Sequence, residues 1–206
     1  MFRRKTLVLA THNIHKRKEM NQLLSNLDVD VVGLDRFPDI GDIEETGTTL
    51  LENAMLKART VHDITGLPSL ADDTGLEVDA LDGAPGVYSA RYAGENPTFE
   101  DNVNKMLYEM SGIPKEKRTA RFRTVISFVD TNTELWDEGV IEGTITESSR
   151  GKGGFGYDPI FQPENEAGTF AEMKSTAKNR ISHRARALKK MQQTLKTYFE
   201  KGDTIE

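Results

Sequence analysis

Hydrophobic and polar positions follow two periods along this chain. Thr6-Leu7-Val8-Leu9-Ala10 is a short apolar run bounded by polar residues, the pattern of a buried strand. It passes through the polar stretch Thr11 to Lys16 into a segment where Met20, Leu23, Leu24 and Leu27 recur at helical spacing. A second short strand is expected near Val29 to Leu34. Thr49 and Glu52 then form a capping box for a helix striped by Leu51, Ala54, Met55 and Ala58, with Lys57 on a more polar side. Leu67 to Leu70 leads into Ala71-Asp72-Asp73-Thr74-Gly75 and a further strand from Leu76 to Leu81, which places the acid pair at a strand end. Phe99, Val103, Met106, Leu107 and Met110 mark a third amphipathic helix. Arg121 to Val129 and Leu135 to Thr146 read as two long strands joined by the turn Asp130 to Glu134. Thr169 and Glu172 repeat the capping box, and Ala185, Leu188, Met191, Leu195 and Phe199 give the last helix its buried face.

No repeat, linker or low-complexity segment interrupts residues 1–206. Mixed helices and strands, with the long strands in the middle, predict a single α/β domain on a mixed sheet, its two lobes facing each other across a groove. That length buries enough apolar surface to fold without staples.

With no cysteine in the chain, disulfides, thiolate zinc sites and cysteine nucleophiles are excluded. No secretory leader pattern opens the sequence and its apolar runs are far too short for a bilayer, so the expectation is a soluble, cytoplasmic protein. The net charge of −6 is unevenly spread. Asp35 to Asp101 holds 15 acids against 4 bases, and Phe170 to Lys201 holds 9 bases against 2 acids. An acidic segment suits a hard cation and a basic one suits phosphate, although charge runs are most often solvated faces. Overall acidity argues against non-specific nucleic-acid binding.

Gly153-Gly154-Phe155-Gly156-Tyr157-Asp158-Pro159 sets an aromatic ring among three glycines. Glycine admits positive φ and close approach of a ligand, so a flat ligand could stack on Phe155 and be read by backbone amides and Asp158. A tight loop around a buried phenylalanine is the plain alternative. Thr11-His12-Asn13-Ile14-His15-Lys16 lacks the glycines of a Walker loop. It nonetheless offers a hydroxyl, an amide and a lysine at a strand-to-helix junction, where an anion binds well. Thr11 or Asn13 could equally be a simple helix cap. His12 and His15, without a matching acid, make a poor metal signature.

Glu44-Glu45-Thr46-Gly47 and Asp72-Asp73-Thr74-Gly75 share one outline: two acids, a threonine and a glycine. Mg²⁺ binds through few carboxylates and several waters beside nucleotide phosphates, which suits such pairs. Two acids beside a buried strand are costly without partners, so Asp72-Asp73 reads as functional, whereas Glu44-Glu45 alone would read as a solvated turn. Ser182-His183-Arg184 opens the final helix, with Lys178 just upstream. No serine nucleophile elbow is present, so acid–base chemistry on a metal-bound water is the better class.

In this order the motifs resemble the inosine triphosphate pyrophosphatase family, from Leu7 to about Leu195. The matching pieces are Thr11-His12-Asn13 through Lys16, Glu44 to Gly47, Glu52-Asn53-Ala54 with Lys57, Ala71 to Leu76, Gly83-Ala84-Pro85-Gly86 with Tyr88-Ser89-Ala90-Arg91, Gly154 to Pro159, and Ser182-His183-Arg184. The resemblance implies an elongated, two-lobed α/β fold around a strongly twisted mixed sheet, the active site lying in the groove, and a homodimer. It also implies hydrolysis of ITP, dITP and XTP to monophosphate and pyrophosphate with Mg²⁺. By position, Asp73 is the implied proton acceptor and a metal ligand, with Asp72 in support. A member of the Glu44–Glu45 pair is the other ligand, Glu44 taken first and Glu45 left open. Thr11 to Lys16, Lys57, Thr74 and Lys178 are implied for the triphosphate and sugar, with Lys16 and Lys178 stabilising the transition state. Phe155 to Asp158, His183 and Arg184 are implied for the base. His15 stands where many family members carry glycine, so a positive φ there would strain it. The competing readings are a related pyrophosphatase for modified pyrimidine or methylated nucleotides, a nucleotide-binding regulator that does not hydrolyse, and an RNA- or DNA-binding module on the basic last helix.

Overall fold

The computed structural model describes residues 5–201, and among these the apolar runs and stripes form seven strands and five α-helices. β1 (Lys5–Leu9) pairs in parallel with β2 (Val29–Gly33) and with β3 (Ser69–Val78). The two-residue β4 (Pro85–Gly86) lies antiparallel on β3. β5 (Thr119–Asp130), β6 (Thr133–Ile145) and β7 (Phe161–Pro163) continue the order β2-β1-β3-β5-β6-β7. This is the α/β fold on a mixed sheet that the sequence predicts.

The chain divides into two compact units. Unit 1 comprises Met1–Asp73, Thr124–Gly139 and Arg184–Glu206; unit 2 comprises Thr74–Arg123 and Val140–His183.

In unit 1, strand alternation sends successive side chains to opposite faces. Leu7 and Leu9 of β1 pack with Met20 of α1 (Ile14–Leu23) and with Ala187, Leu188, Met191 and Leu195 of α5 (His183–Lys201). Val8 and Ala10 instead meet Ala58 and Val61 of α2 (Leu50–Thr65). β3 repeats the alternation, with Leu70 on the α1/α5 side and Ala71 on the α2 side.

The acid pair is not at a strand end. The two short strands expected on either side of Asp72-Asp73 are one strand, because Gly75 does not break it and Leu76 and Glu77 find partners in β4. Leu81, expected in that strand, falls in a 3₁₀ turn, Asp79–Leu81. What ends nearby is β1. Its register with β3 stops at Leu9↔Leu70, so Asp72 and Asp73 run past its carboxyl end, where the chain leaves for Thr11 to Lys16. Sites in open α/β sheets gather beyond such strand ends.

Unit 2 has its own core, in which Val103, Met106 and Met110, on and just after α3 (Phe99–Glu109), meet Leu76, Phe122, Ile141, Tyr157, Phe161 and Phe170. The buried guanidinium of Arg118 donates to the carbonyls of Met110, Ile145 and Thr146, tying the end of α3 to the end of β6. The Thr169–Glu172 capping box closes only the 3₁₀ turn Phe170–Glu172, and α4 (Ser175–Ile181) follows. No helix among the described residues is long and apolar enough to cross a membrane.

Candidate active site

The turn between β1 and α1 is built around Asn13. Its Oδ1 accepts from the backbone N–H of His15 at 3.0 Å and of Lys16 at 3.1 Å, so Asn13 is the helix cap. Thr11 Oγ1 accepts from the Asn13 N–H at 3.2 Å and fixes the approach to that cap. His15 lies in the first turn of α1 and is not among the described residues of positive φ; a histidine fits there without strain. His12 and His15 do not act as a pair: His12 Nε2 meets the Gly41 carbonyl at 3.1 Å, and His15 and Ile14 are exposed.

Consecutive positions on β3 send Asp72 to the α1/α5 side and Asp73 to the α2 side, so their nearest cations differ. Asp72 Oδ2 lies 3.2 Å from Lys16 Nζ and 3.0 Å from Arg184 Nη2, and it also accepts from Arg184 Nε. Arg184 Nη1 pairs with Glu19 of α1. Asp73 Oδ1 lies 3.6 Å from Lys57 Nζ, which itself donates to Glu45 Oε1 at 2.6 Å. Asn53 Nδ2 donates to Asp73 Oδ2 at 3.2 Å, while Asn53 Oδ1 accepts the Gly47 N–H at 2.7 Å. A Cβ on Gly47 would stand 2.6 Å from that oxygen, which is why the Glu-Glu-Thr-Gly motif ends in glycine.

These surroundings separate the two carboxyls in proton affinity. Burial works against charge on Asp72, but Lys16, Arg184 and Lys57 outweigh it and hold the carboxyl far below the usual range. For Asp73 burial prevails: Lys57 and Lys16 offset only part of it, Glu45 and Asp72 add to it, and the carboxyl is raised. Burial lowers the Lys16 ammonium against the pull of Asp72. It would lower Lys57 too, but Asp73, Glu45 and Asp72 reverse the direction. Neighbouring acids pushed apart in this way divide into a fixed anion, Asp72, and a carboxylate able to take a proton, Asp73.

Unit 2 holds the glycine-rich loop. Asp158, buried, accepts through Oδ2 from the Phe155 N–H at 2.8 Å and from Lys178 Nζ at 2.6 Å. The Lys178 ammonium also lies 4.7 Å from the centre of the Phe155 ring, and Phe99 packs against that ring at 6.1 Å. Tyr157 donates its hydroxyl to the Ser89 carbonyl at 2.9 Å and is otherwise core. The His183 ring stacks on Phe122 at 4.6 Å. Gly154 has φ of 71°, and a Cβ there would overlap the Asp158 carboxylate. Gly154→Ala is therefore expected to cost about 2 kcal/mol or more in stability through left-handed strain and that overlap, read as a lowered urea midpoint. An unchanged midpoint would show that the loop does not need this geometry.

Several expected site residues make contacts of their own within the chain. Arg184, expected at the base, commits all three guanidinium nitrogens to Asp72 and Glu19 within unit 1. Lys178, expected on the triphosphate, lies against Asp158 and Phe155 in unit 2. Glu44 is exposed, and it is Glu45 that reaches Lys57 beside Asp73.

Residues 7–194 match the Ham1 family. The chain belongs to that family. A dITP/XTP pyrophosphatase of Porphyromonas gingivalis is 51% identical over 189 residues, covering 92% of this chain and 96% of its own. One of Geobacter sulfurreducens is 49% identical, covering 88% and 92%. A solved HAM1 protein from Coxiella burnetii superposes with a TM-score of 0.84 at 43% identity, over 93% of this chain and 98% of its own.

Within this Ham1 chain, two residues of the charged cluster escaped the sequence reading. Glu19, one helical turn from Lys16 on α1, carries the spacing that would have revealed it. Asn53 lies in the Glu52-Asn53-Ala54 motif, but only the fold shows that it links Gly47 to Asp73.

Proposed function

We propose that this chain hydrolyses non-standard purine nucleoside triphosphates (ITP, dITP and XTP) to the nucleoside monophosphate and pyrophosphate. The buried pair Asp72–Asp73, flanked by Lys16 and Lys57 in a Ham1 chain with dITP/XTP pyrophosphatases as relatives, carries this reading. Asp73, held by Asn53 beside Lys57, takes the proton of the attacking water. Asp72, held ionised, keeps Lys16 and Arg184 in place. Lys16 and Lys57 meet phosphate charge. In unit 2, Phe155 offers its ring to a purine, and Lys178 and Asp158 hold the loop around it.

Among the described residues no three His, Asp or Glu converge into an all-protein metal cage. The donors near Lys57 are two carboxylates, Glu45 and Asp73, which suits Mg²⁺, an ion that keeps water and phosphate oxygens as ligands. When bound, the ion supplies charge neutralisation on the phosphates and on the leaving pyrophosphate.

Discrimination against adenine requires donors aimed at a 6-keto oxygen. An amino group facing those donors leaves them unpaired, at about 1–3 kcal/mol for each buried group. We further infer one functional domain over residues 1–206, action as a homodimer, and a cytoplasmic location beside the triphosphate pools that polymerases draw on. The test is incubation with ITP and Mg²⁺ followed by product separation. Inosine monophosphate and pyrophosphate are expected; inosine diphosphate and orthophosphate would overturn the reading.

A further inference from the structure

The distances around Lys57 carry more than phosphate binding. Its ammonium lies 2.6 Å from Glu45 and 3.6 Å from Asp73, and its side chain is only 10% exposed. Those are the two carboxylates assigned to the metal. A cation in that position meets the same charges that a divalent ion would meet. Among the described residues, the groups connected around the acid pair include Glu19, Arg184, Asp72, Lys16, Asp73, Lys57 and Glu45. Four of these are acids and three are bases, a net of −1, and without Lys57 the net is −2.

We propose that Lys57 is a stand-in cation: it occupies the Glu45–Asp73 pair in the substrate-free protein, opposes entry of a bare divalent ion, and makes metal binding depend on the triphosphate. This deepens the function proposed above and rests on its assignment of the metal to Glu45 and Asp73. A divalent ion arriving alone must approach a fixed ammonium inside a buried site, where repulsion is poorly screened. It must also break the short Lys57–Glu45 contact. A triphosphate changes both terms, because its oxygens bring negative charge and give Lys57 a new partner. The ammonium and the divalent ion can then share one anionic environment. A surface lysine paired with one glutamate could not do this, since water would screen it.

The test measures Mn²⁺ affinity without nucleotide, by the electron paramagnetic resonance signal of the free ion, for wild type, Lys57→Met and Lys57→Arg. Lys57→Met is expected to bind Mn²⁺ at least about tenfold more tightly than wild type, because the repelling charge is gone. Lys57→Arg keeps the charge and is expected to stay near wild type. Equal or weaker Mn²⁺ binding by Lys57→Met overturns the proposal. If Lys57→Met folds only when Mn²⁺ is supplied, the ion has replaced the ammonium and the proposal stands. If it stays unfolded at millimolar Mn²⁺, the lysine is a structural counter-ion and the proposal fails. Wild-type hydrolysis of ITP, assayed separately, decides the proposed function itself, so the two failures are distinguishable.

Discussion

Asp73→Asn is expected to lower kcat by about 10³-fold or more while the protein stays folded and still binds nucleotide. Loss of a general base alone removes about 10²–10⁴-fold. The substitution also removes one of the two carboxylates beside Lys57. Asparagine keeps the shape of aspartate and an oxygen able to accept from Asn53, which holds Asp73 at 3.2 Å. Removing the charge also relieves a buried group that Glu45 and Asp72 already crowd, so stability should change little. The measurements are pyrophosphate release under saturating ITP, nucleotide affinity, and the thermal midpoint. A kcat within about tenfold of wild type would remove Asp73 from the chemistry. A collapsed midpoint would make it structural. Asp72→Asn should show the reverse balance, because Asp72 anchors Lys16 and Arg184.

That contrast between adjacent residues shows what the sequence could disclose. Period and capping boxes placed the long helices and the strands β5 and β6 to within a few residues, since apolar stripes such as Val103, Met106 and Met110 have one way to be buried. In the sequence β3 reads as two strands, because its acid pair interrupts the apolar run. The acid pair was legible as chemistry, because two carboxylates after Leu70-Ala71 must find partners. Which partners they find was not legible. Strand alternation assigns Asp72 and Asp73 to opposite faces, but only packing shows that α1 and α5 cover one face and α2 the other. Arg184 illustrates the gap. By neighbourhood in sequence it belongs with His183, yet adjacent helix positions point about 100° apart: His183 stacks on Phe122, and Arg184 reaches Asp72. Asp158 is a similar case. A conspicuous acid in a glycine-rich loop suggests a ligand, but the contacts of its Oδ2 with Phe155 and Lys178 are visible only in the fold.

Arg184→Leu is expected to cost about 3–5 kcal/mol in stability at neutral pH, because removing one partner leaves buried charge uncompensated. Arg184 is 1% exposed and holds two acids, Asp72 and Glu19. Leucine fills part of its volume but returns no hydrogen bond to either. The pH dependence separates charge from packing. The Asp72 carboxyl is depressed in the folded state, so at acid pH the unfolded chain binds more protons than the folded one. Its stabilising contribution is complete above the ordinary carboxylate value of about 4 and is lost as pH falls towards the folded value. In the variant, Lys16 and Lys57 remain but the depression shrinks, so less is left to lose. The stability gap between wild type and variant should therefore be widest near neutrality and narrow as pH drops below about 4. Urea midpoints across that range provide the measurement. A gap that stays constant into the acid range would assign the loss to packing of the arginine stem, not to its charge.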